Sequence, residues 1–512
     1  MFLHQLLPRH SDSEGPDRSI SASTTLRCMT VGLFVTLLFC ASGCTVGPDF
    51  VRPEAPAISQ YTHETQPAST EPADGQAQNF VPGAEIAPDW WRLFNSDKLD
   101  AMVKKSFANN QTLQSAQATL RQSQENLRAG YGVFFPQLDA SFDAARQKSS
   151  LARFGGNAAS KIFNLFTLSA TVSYALDIFG GERRTVESLK AQVDFQRFVV
   201  IGTYLTLSGN IVNSVVAHAA YHEQIKTTEQ MIKLIREQVT LTEMQAQAGI
   251  VPYSNVLALR SQLAAAEATI PPLRQKMNQT EHLLATLEGL SPAEYDPQPV
   301  GLADLALPGD LPVTLPSELV RQRPDILAAE ARLHSASAEI GVATAALFPN
   351  FTLNGAYGQT NTSLNDFFKN TASFWSLGAN AATPLFHGGT LWFKRRAAIE
   401  SYNQALADYR QTVLAAFAQV ADTLRALEHD AESVRAQSQS LSAAKEALSL
   451  IQANYEAGTV NYLQVLTADN QYHQANIGYL QAQALRLQDT VALFTALGGG
   501  WWNNEKKVSV DK

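Results

Sequence analysis

The longest segment without a helix-breaking residue constrains this chain most. Thr390 to Ala457 contains neither Gly nor Pro and is rich in the helix formers Ala, Leu, Gln, Glu and Arg. At about 1.5 Å per residue, these 68 residues predict one helix of roughly 100 Å. A helix far longer than the usual one needs long neighbours that cover its apolar side.

Apolar residues recur along this segment at every seventh position. A heptad sustained over such a length predicts coiled-coil packing, with the intervening small and polar residues facing water. The seam comprises Leu406, Val413, Val420, Leu427, Val434, Leu441, Leu448 and Tyr455.

The chain is a tandem duplication. Residues 245–262 and 454–471 align at a constant offset of 209, which pairs Gly249 with Gly458 and carries the heptad seam into the first copy. Each copy reads as a helix, a Phe-Pro corner, two strands, a Gly-Gly pair, a long helix, an Ala-Gly turn and a return helix. The first helices are predicted over Asp97–Arg128 and Ser317–Ala346. Pro271 and Pro272 predict a bend or break in the first return helix.

Four segments alternate apolar and polar residues, as strands with two different faces do. Their polar positions are nearly all Ser, Thr, Asn and Asp, and about ten residues is the length of a transmembrane strand. A half-buried sheet on a soluble core is the alternative. It is disfavoured because the helices already have heptad partners. The apolar positions are Leu138, Ala140, Phe142 and Ala144; Leu168, Ala170, Val172, Tyr174 and Leu176; Phe351, Leu353, Gly355 and Tyr357; and Trp375, Leu377, Ala379 and Ala381.

Four strands cannot close a barrel, and open edges in lipid would leave backbone groups unpaired. Three copies would supply twelve strands, an even number within the range of known barrels. The expected fold is therefore mainly α with a transmembrane β-barrel portion. Each tandem-repeat protomer contributes four strands to a trimeric twelve-stranded barrel, continuous with a long coiled-coil α-barrel.

The N-terminus predicts export. Val31 to Phe39 is an apolar segment of signal-peptide length after Arg27, and Ala41-Ser42-Gly43-Cys44 resembles a lipoprotein cleavage site. Cys44 would then carry S-diacylglycerol and N-acyl groups that bury many CH₂ groups in a membrane. An ordinary signal peptide cut near Cys44 is the alternative. No later segment is predicted to cross a membrane as a helix.

Several motifs in order resemble the outer membrane efflux proteins, in particular the TolC-like lipoprotein branch of RND-type (NodT-like) efflux systems. The motifs are Cys44-Thr-Val-Gly-Pro-Asp-Phe, Pro88-Asp-Trp-Trp91, Arg323-Pro-Asp-Ile326, the paired Ala-Gly-x-Val-x-Tyr turns and Leu497-Gly-Gly-Gly-Trp501. The resemblance implies a homotrimer in outer membrane lipid that extends into the periplasm. It also implies a periplasmic adaptor (membrane fusion) protein and an inner-membrane RND-type transporter as partners.

This pattern divides the chain into successive segments, with strands expected at about 136–147, 163–177, 349–359 and 373–385. The long helical hairpins are expected at 182–288 and 390–497. The segments are a lipoprotein signal peptide (1–43), a lipidated N-terminal segment with equatorial contacts (44–96), repeat 1 (97–290), an equatorial linker (291–316), repeat 2 (317–498) and a C-terminal tail (499–512).

The resemblance places the Ala-Gly turns at a periplasmic tip that closes the channel. Relatives often carry Asp where this chain has Thr467 and Arg where it has Asn470. Threefold symmetry would turn each side chain into a ring, and rings of Leu or Asp respectively dewet a pore or attract cations. We expect Leu463 to form an apolar constriction and Asp469 an acidic ring, with Thr467 and Asn470 lining it. A solvated surface carboxylate is the alternative for Asp469.

The function expected from these features is a passive efflux conduit for small molecules and not an enzyme, with no cofactor and no metal. A type I protein-secretion duct or a secreted coiled-coil lipoprotein are the alternatives. His218 and His222 have a metal-compatible spacing but no third ligand, so a packed or interhelical His218 is favoured. A net charge of −8 without a basic run gives no reason to expect nucleic acid as a partner.

Overall fold

A computed structural model describes residues 45–149 and 161–503, so Cys44, the signal peptide and the end of the C-terminal tail lie outside it. The chain forms two compact units, each treated separately below. Among the described residues, the sheet unit comprises 45–47, 136–183 and 344–387, and the helical unit comprises 48–135, 184–343 and 388–503.

The regular elements of the described residues follow the duplicated order of the sequence. They are β1 (Asn79–Pro82), α1 (Asp97–Asn109), α2 (Gln111–Gly130), β2 (Gln137–Ser149), β3 (Lys161–Leu176), α3 (Gly181–Gln247), α4 (Tyr253–Glu267), α5 (Ile270–Leu287), β4 (Asp310–Val313), α6 (Pro316–Gln322), α7 (Pro324–Ala345), β5 (Asn350–Asn361), β6 (Ser373–Ala382), α8 (Thr390–Glu456) and α9 (Tyr462–Ala496).

The structure contains the two long helices that the sequence predicts. Both α3 and α8 are unbroken over 67 residues. Val420 and Leu427 in the middle of the seam are fully buried, whereas Tyr455 near the end of α8 is 44% exposed. The seam therefore packs within one chain at its centre and becomes open towards the tip.

The return helices differ between the two copies. In the second copy, α9 is continuous, while the first copy returns as α4 and α5 with a break at residues 268–269. Pro271 and Pro272 occupy the first turn of α5, where a helix needs no backbone N–H donor. The predicted interruption of this helix is confirmed.

The prediction of one 30-residue helix at the start of each copy was wrong, because each is divided in two. Asn110 is extended between α1 and α2, and its side chain caps α2 by accepting from Leu113 N at 3.0 Å. Arg323 is extended because Pro324 disfavours the helical conformation of the residue before it.

The sheet unit contains one antiparallel sheet with strand order β2-β3-β5-β6. Its register places Leu138 opposite Val172 and Gly355 opposite Leu377, so the predicted apolar positions share one face. The alternation predicted for these strands is confirmed. Among the described residues the sheet is open, with β2 and β6 as its two edges.

The helical unit has its largest core where three distant segments meet. The N-terminal segment contributes the parallel pairing of β1 with β4 and the buried side chains of Trp90 and Phe94. The ring of Trp90 stacks on that of Phe494 near the end of α9, with centroids 5.3 Å apart. Arg323 donates a hydrogen bond to the carbonyl of Ala496 at 2.6 Å. This core ties the N-terminal segment, the inter-repeat linker and the C-terminus together.

Among the residues that the structure describes, one helix is long and apolar enough to cross a membrane, contrary to the sequence expectation. The apolar window lies within α3, and half of that window is buried inside the protein. A long helix that packs in a core passes the same test, so the window is weak evidence for a helical span.

Candidate functional site

The four-stranded sheet has two chemically different faces. On the polar face, the hydroxyl of Ser141 lies 3.2 Å from that of Ser169, and the hydroxyl of Thr167 lies 3.1 Å from that of Thr360. The opposite face exposes large apolar side chains on all four strands. They are Leu138, Phe142, Val172, Leu353, Tyr357, Trp375 and Leu377. A face of this composition suits contact with hydrocarbon, and the hydroxyl-rich face suits contact with water.

Both helical hairpins turn in the same way at their tips. Gly249 and Gly458 adopt left-handed conformations with φ of 76° and 74°. In each turn the glycine N–H and the following N–H donate back to carbonyls in the last helical turn, as in Ile250 N to Gln245 O at 2.9 Å. The paired Ala-Gly motifs therefore build two equivalent tips, and α9 starts directly after the second.

The predicted gate residues differ in accessibility within one chain. Leu463 is half-buried, and Thr467 is exposed with its hydroxyl donating to the Leu463 carbonyl at 2.9 Å. Asn470 is 95% buried, and its side-chain oxygen has no hydrogen-bond partner among the described residues. Leu463 and Thr467 are thus accessible from outside the protomer, whereas Asn470 packs within it.

Asp469 is half-buried beside a histidine that the gate prediction omitted. Its carboxylate lies 3.4 Å from His473 Nε2, one helical turn further along α9. Burial raises the pKa of Asp469, an effect that His473 opposes and Glu237 on α3 reinforces. Burial lowers the pKa of His473, and Asp469 opposes that shift. The four-residue spacing is the sequence signal for this pair, which can hold a pH-dependent negative charge near the tip.

His218 makes an interhelical contact, which is the interpretation the sequence favoured. Its Nε2 lies 3.0 Å from Glu281 Oε1 on α5, and His222 lies 3.5 Å from the adjacent Glu223. Within residues 45–149 and 161–503, no group of three metal-ligating side chains comes together.

The residues directly after Cys44 are anchored in the sheet unit. Val46 N donates to the carbonyl of Phe179 at 3.1 Å, just beyond the end of β3. Gly180 has a φ of 78°, and a Cβ there would lie 2.8 Å from the Cα of Thr45. This close approach requires glycine and fixes the chain one residue away from the candidate lipidation site.

Comparisons with known proteins agree on one family. Residues 102–290 and 315–499 match the family model described as outer membrane efflux protein. The chain is 31% identical to the pyoverdine export outer membrane protein OpmQ of Pseudomonas putida, over 82% of this chain and 90% of that protein. It is 26% identical to the probable outer membrane lipoprotein SilC of Salmonella typhimurium, over 92% of this chain and 98% of that protein. The solved outer-membrane channel OprN has a TM-score of 0.79 at 28% identity and covers 90% of this chain and 100% of its own.

Proposed function

The chain belongs to the outer membrane efflux protein family and is an outer membrane component of an efflux pump; from this premise we propose that it is a passive trimeric conduit for small molecules. The open sheet, with one apolar and one hydroxyl-rich face, carries the proposal. Such a sheet can separate lipid from water only when other strands pair with β2 and β6. Three copies would provide twelve strands and remove every edge.

The same three copies would surround a helical channel below the barrel. Several large apolar side chains on the long helices are more than half exposed in the single chain, among them Met244, Leu414 and Leu450. A neighbouring protomer would cover such positions and continue the coiled-coil packing that the mid-helix seam starts. The role is that of a transport conduit, and we propose no catalytic step and no cofactor.

Cys44 is proposed to carry S-diacylglycerol and N-acyl groups. The motif around it supports this, as does the name of SilC, a probable outer membrane lipoprotein. Thr45 and Val46 hold the following backbone against the end of β3, which would keep the acyl chains beside a membrane-embedded sheet.

The gate is proposed at the start of α9. Leu463 and Thr467 are accessible from outside the protomer, and Asp469, two residues after Thr467, carries a half-buried carboxylate. In a trimer, Leu463 would form an apolar constriction and Asp469 an acidic ring, with Thr467 beside them. Asn470, which is buried in the single chain, would act by fixing the packing of this turn.

The partners are proposed to be a periplasmic adaptor protein and an inner-membrane RND-type transporter that supplies the energy. The relatives named as efflux pump components support this, since such pumps have several parts. OpmQ is named for pyoverdine export and SrpC for solvent efflux, so small molecules are the favoured cargo over exported proteins.

Disulfide cross-linking between the sheet edges tests the proposal. Ala140→Cys on β2 would be combined with Leu377→Cys, Ala379→Cys or Ala381→Cys on β6, all on the apolar face. Oxidation of outer membranes should give covalent dimers and trimers for at least one pair. The control pairs Ala140→Cys with Tyr357→Cys on the inner strand β5 and should stay monomeric on a denaturing gel. Monomer alone with every edge pair would contradict the shared barrel.

A further inference from the structure

The start of α8 exposes aromatic and basic side chains side by side. Trp392 is 54% and Phe393 62% exposed, and Lys394 and Arg396 are exposed within the next three positions. Neither Lys394 nor Arg396 has an ion pair or side-chain hydrogen bond to any described residue of the chain. We refer to Trp392, Phe393, Lys394 and Arg396 as the basic-aromatic turn.

At the start of α3, the equivalent position in the first copy, the basic residues form ion pairs within the chain. Arg184, near the start of α3, is buried and pairs with Asp49 and Glu187, each at 2.7 Å. Arg183 pairs with Asp177 at 3.1 Å. Carboxylates of the same chain thus neutralise Arg183 and Arg184. Lys394 and Arg396 in the second copy have no such partners among the described residues. Their counter-charge must come from outside the protomer or from solvent.

The sequence position of the turn indicates which surface it meets. Only seven residues separate the end of β6 from the start of α8, and two of them, Leu385 and Phe386, are about 90% exposed. Exposed Trp and Phe next to Lys and Arg is the composition of membrane interfaces, where rings sit at headgroup level and cations meet lipid phosphates. Under the proposed function, α8 leaves the barrel on the periplasmic side.

We propose that the basic-aromatic turn binds the phosphate headgroup of an anionic phospholipid in the periplasmic leaflet of the outer membrane. This inference rests on the proposed function, because it requires the strands to lie in the membrane. Arg396 lies three and four positions after Phe393 and Trp392, on the same helix face, and would contact the phosphate while the two rings lie against the upper acyl chain. Lys394, two positions before Arg396, would meet a neighbouring headgroup. A zwitterionic lipid offers no net charge to match two cations, so the turn discriminates by charge.

The test measures lipid binding to the purified full-length protein in mild detergent. Phosphatidylglycerol and phosphatidylcholine with the same acyl chains would be titrated and bound lipid counted by native mass spectrometry. The variant is Lys394→Gln with Arg396→Gln. The control is Arg410→Gln with Lys445→Gln, which removes two exposed charges from the same helix. We expect the unaltered protein to prefer phosphatidylglycerol, and the variant to bind it about tenfold or more weakly. The control should bind it unchanged.

Three results would overturn the inference: equal binding of the two lipids by the unaltered protein, unchanged phosphatidylglycerol binding by the variant, or an equal loss in the control. Loss of the oligomer by the variant in lipid-free detergent would also overturn it, because a second copy of the chain would then be the occupant. Ion conductance of the same samples separates this inference from the proposed function. A protein that conducts but shows no lipid preference refutes only the lipid site.

Discussion

The two copies of the repeat build equivalent hairpins from different interior chemistry. In the first copy, α3 packs on α4 and α5 through a cluster of large apolar side chains that includes Ile225, Ile235 and Ile270. In the second copy, the backbones of α8 and α9 run closely side by side, and a small residue such as Ala482 fills the interface. The distance between two helix axes depends on the side chains at the contact, so the bulky residues of the first hairpin hold its helices further apart than the small residues of the second.

The second hairpin also carries a buried charged cluster at positions where the first copy has uncharged residues. Arg486 is 3% exposed and donates to Gln78 at 2.9 Å and to Thr70 at 3.2 Å, both in the N-terminal segment. Asp430 is 6% exposed, and Asp489 lies close to it. At the offset of 209, the first copy has Tyr221, Met277 and Thr280 instead of Asp430, Arg486 and Asp489. The polar cluster therefore fastens the N-terminal segment to one repeat only.

Replacing Arg486 by the residue of the first copy should have the largest effect. Arg486→Met would leave the side-chain oxygen of Gln78 without its donor, the Thr70 hydroxyl with one donor fewer and the buried Asp430 without its nearby cation. Breaking such a buried charged network costs about 3 kcal/mol of unfolding free energy. Thermal unfolding in mild detergent, followed by circular dichroism, measures it. Arg410→Met, exposed on α8, should change stability by less than about 0.5 kcal/mol. Equal effects of the two substitutions would show that the Arg486 cluster does not stabilise the attachment of the N-terminal segment to the second repeat.

Exchanging interface residues between the hairpins should cost somewhat less. Ala482→Leu introduces the residue that the first copy has at Leu273, and it should destabilise the second hairpin by about 1–3 kcal/mol through overpacking against Ala73 and Val434. The reverse change, Leu273→Ala, should cost about 2 kcal/mol by leaving a cavity. Both are measured as shifts in the unfolding midpoint. A neutral Ala482→Leu would contradict the close packing of α8 with α9.

Stability should fall between acidic and neutral pH because of Asp430. Burial, and then the neighbouring Asp489, raise the pKa of Asp430 to about 7, and Arg486 opposes the shift. Because the folded pKa lies above the ordinary value of 3.8, the folded state binds more protons and loses stability as pH rises from about 4 to 7. Asp430→Asn should therefore stabilise the protein on the order of 1–3 kcal/mol at pH 8 and much less at pH 4. Unfolding across this range measures it.

Asp408→Asn, on the exposed side of the same helix, is the matched control for that titration and should leave the pH dependence of the unaltered protein in place. A pH profile of Asp430→Asn that is parallel to that of the unaltered protein would rule out Asp430 as the titrating group.

Substitution of Asp469 at the tip of the second hairpin should have the smallest effect of these predictions. Asp469 corresponds in the first copy to Arg260, which pairs with Glu243 at 2.7 Å. Asp469→Ala removes the acidic ring proposed for the second tip, so cation block and cation preference of the reconstituted channel should weaken about two- to threefold. Single-channel recordings with increasing divalent cation measure this. Asp422→Ala, exposed on α8, is the control. Unchanged block in Asp469→Ala would remove this residue from the gate.

The sequence predicts the features that depend on neighbouring residues. The long helix follows from the absence of Gly and Pro, the four strands follow from alternation, and the break before α5 follows from Pro271 and Pro272. These signals are local, because each residue's preference agrees with that of its neighbours.

The features that the sequence did not predict depend on long-range contacts or on single residues. The pairing of β1 with β4 joins four-residue segments, such as Asn79 with Asp310, that show no alternation. The Arg486 network unites two segments about 400 positions apart. The divisions at Asn110 and Arg323 each rest on one extended residue within otherwise helical sequence. Tertiary packing decided the first two features, and neither composition nor periodicity reports it. The divisions at Asn110 and Arg323 have local causes, a capping side chain and Pro324, that the overall helical pattern conceals.

Ion conductance of the purified protein across a planar bilayer tests the central claim most directly, provided that the oligomeric mass is measured on the same sample. Our account predicts a trimer that survives mild detergent, shifts to monomer on heating, and conducts ions in discrete steps. A sample that stays monomeric in mild detergent and passes no current would contradict the claim that three copies together form one barrel.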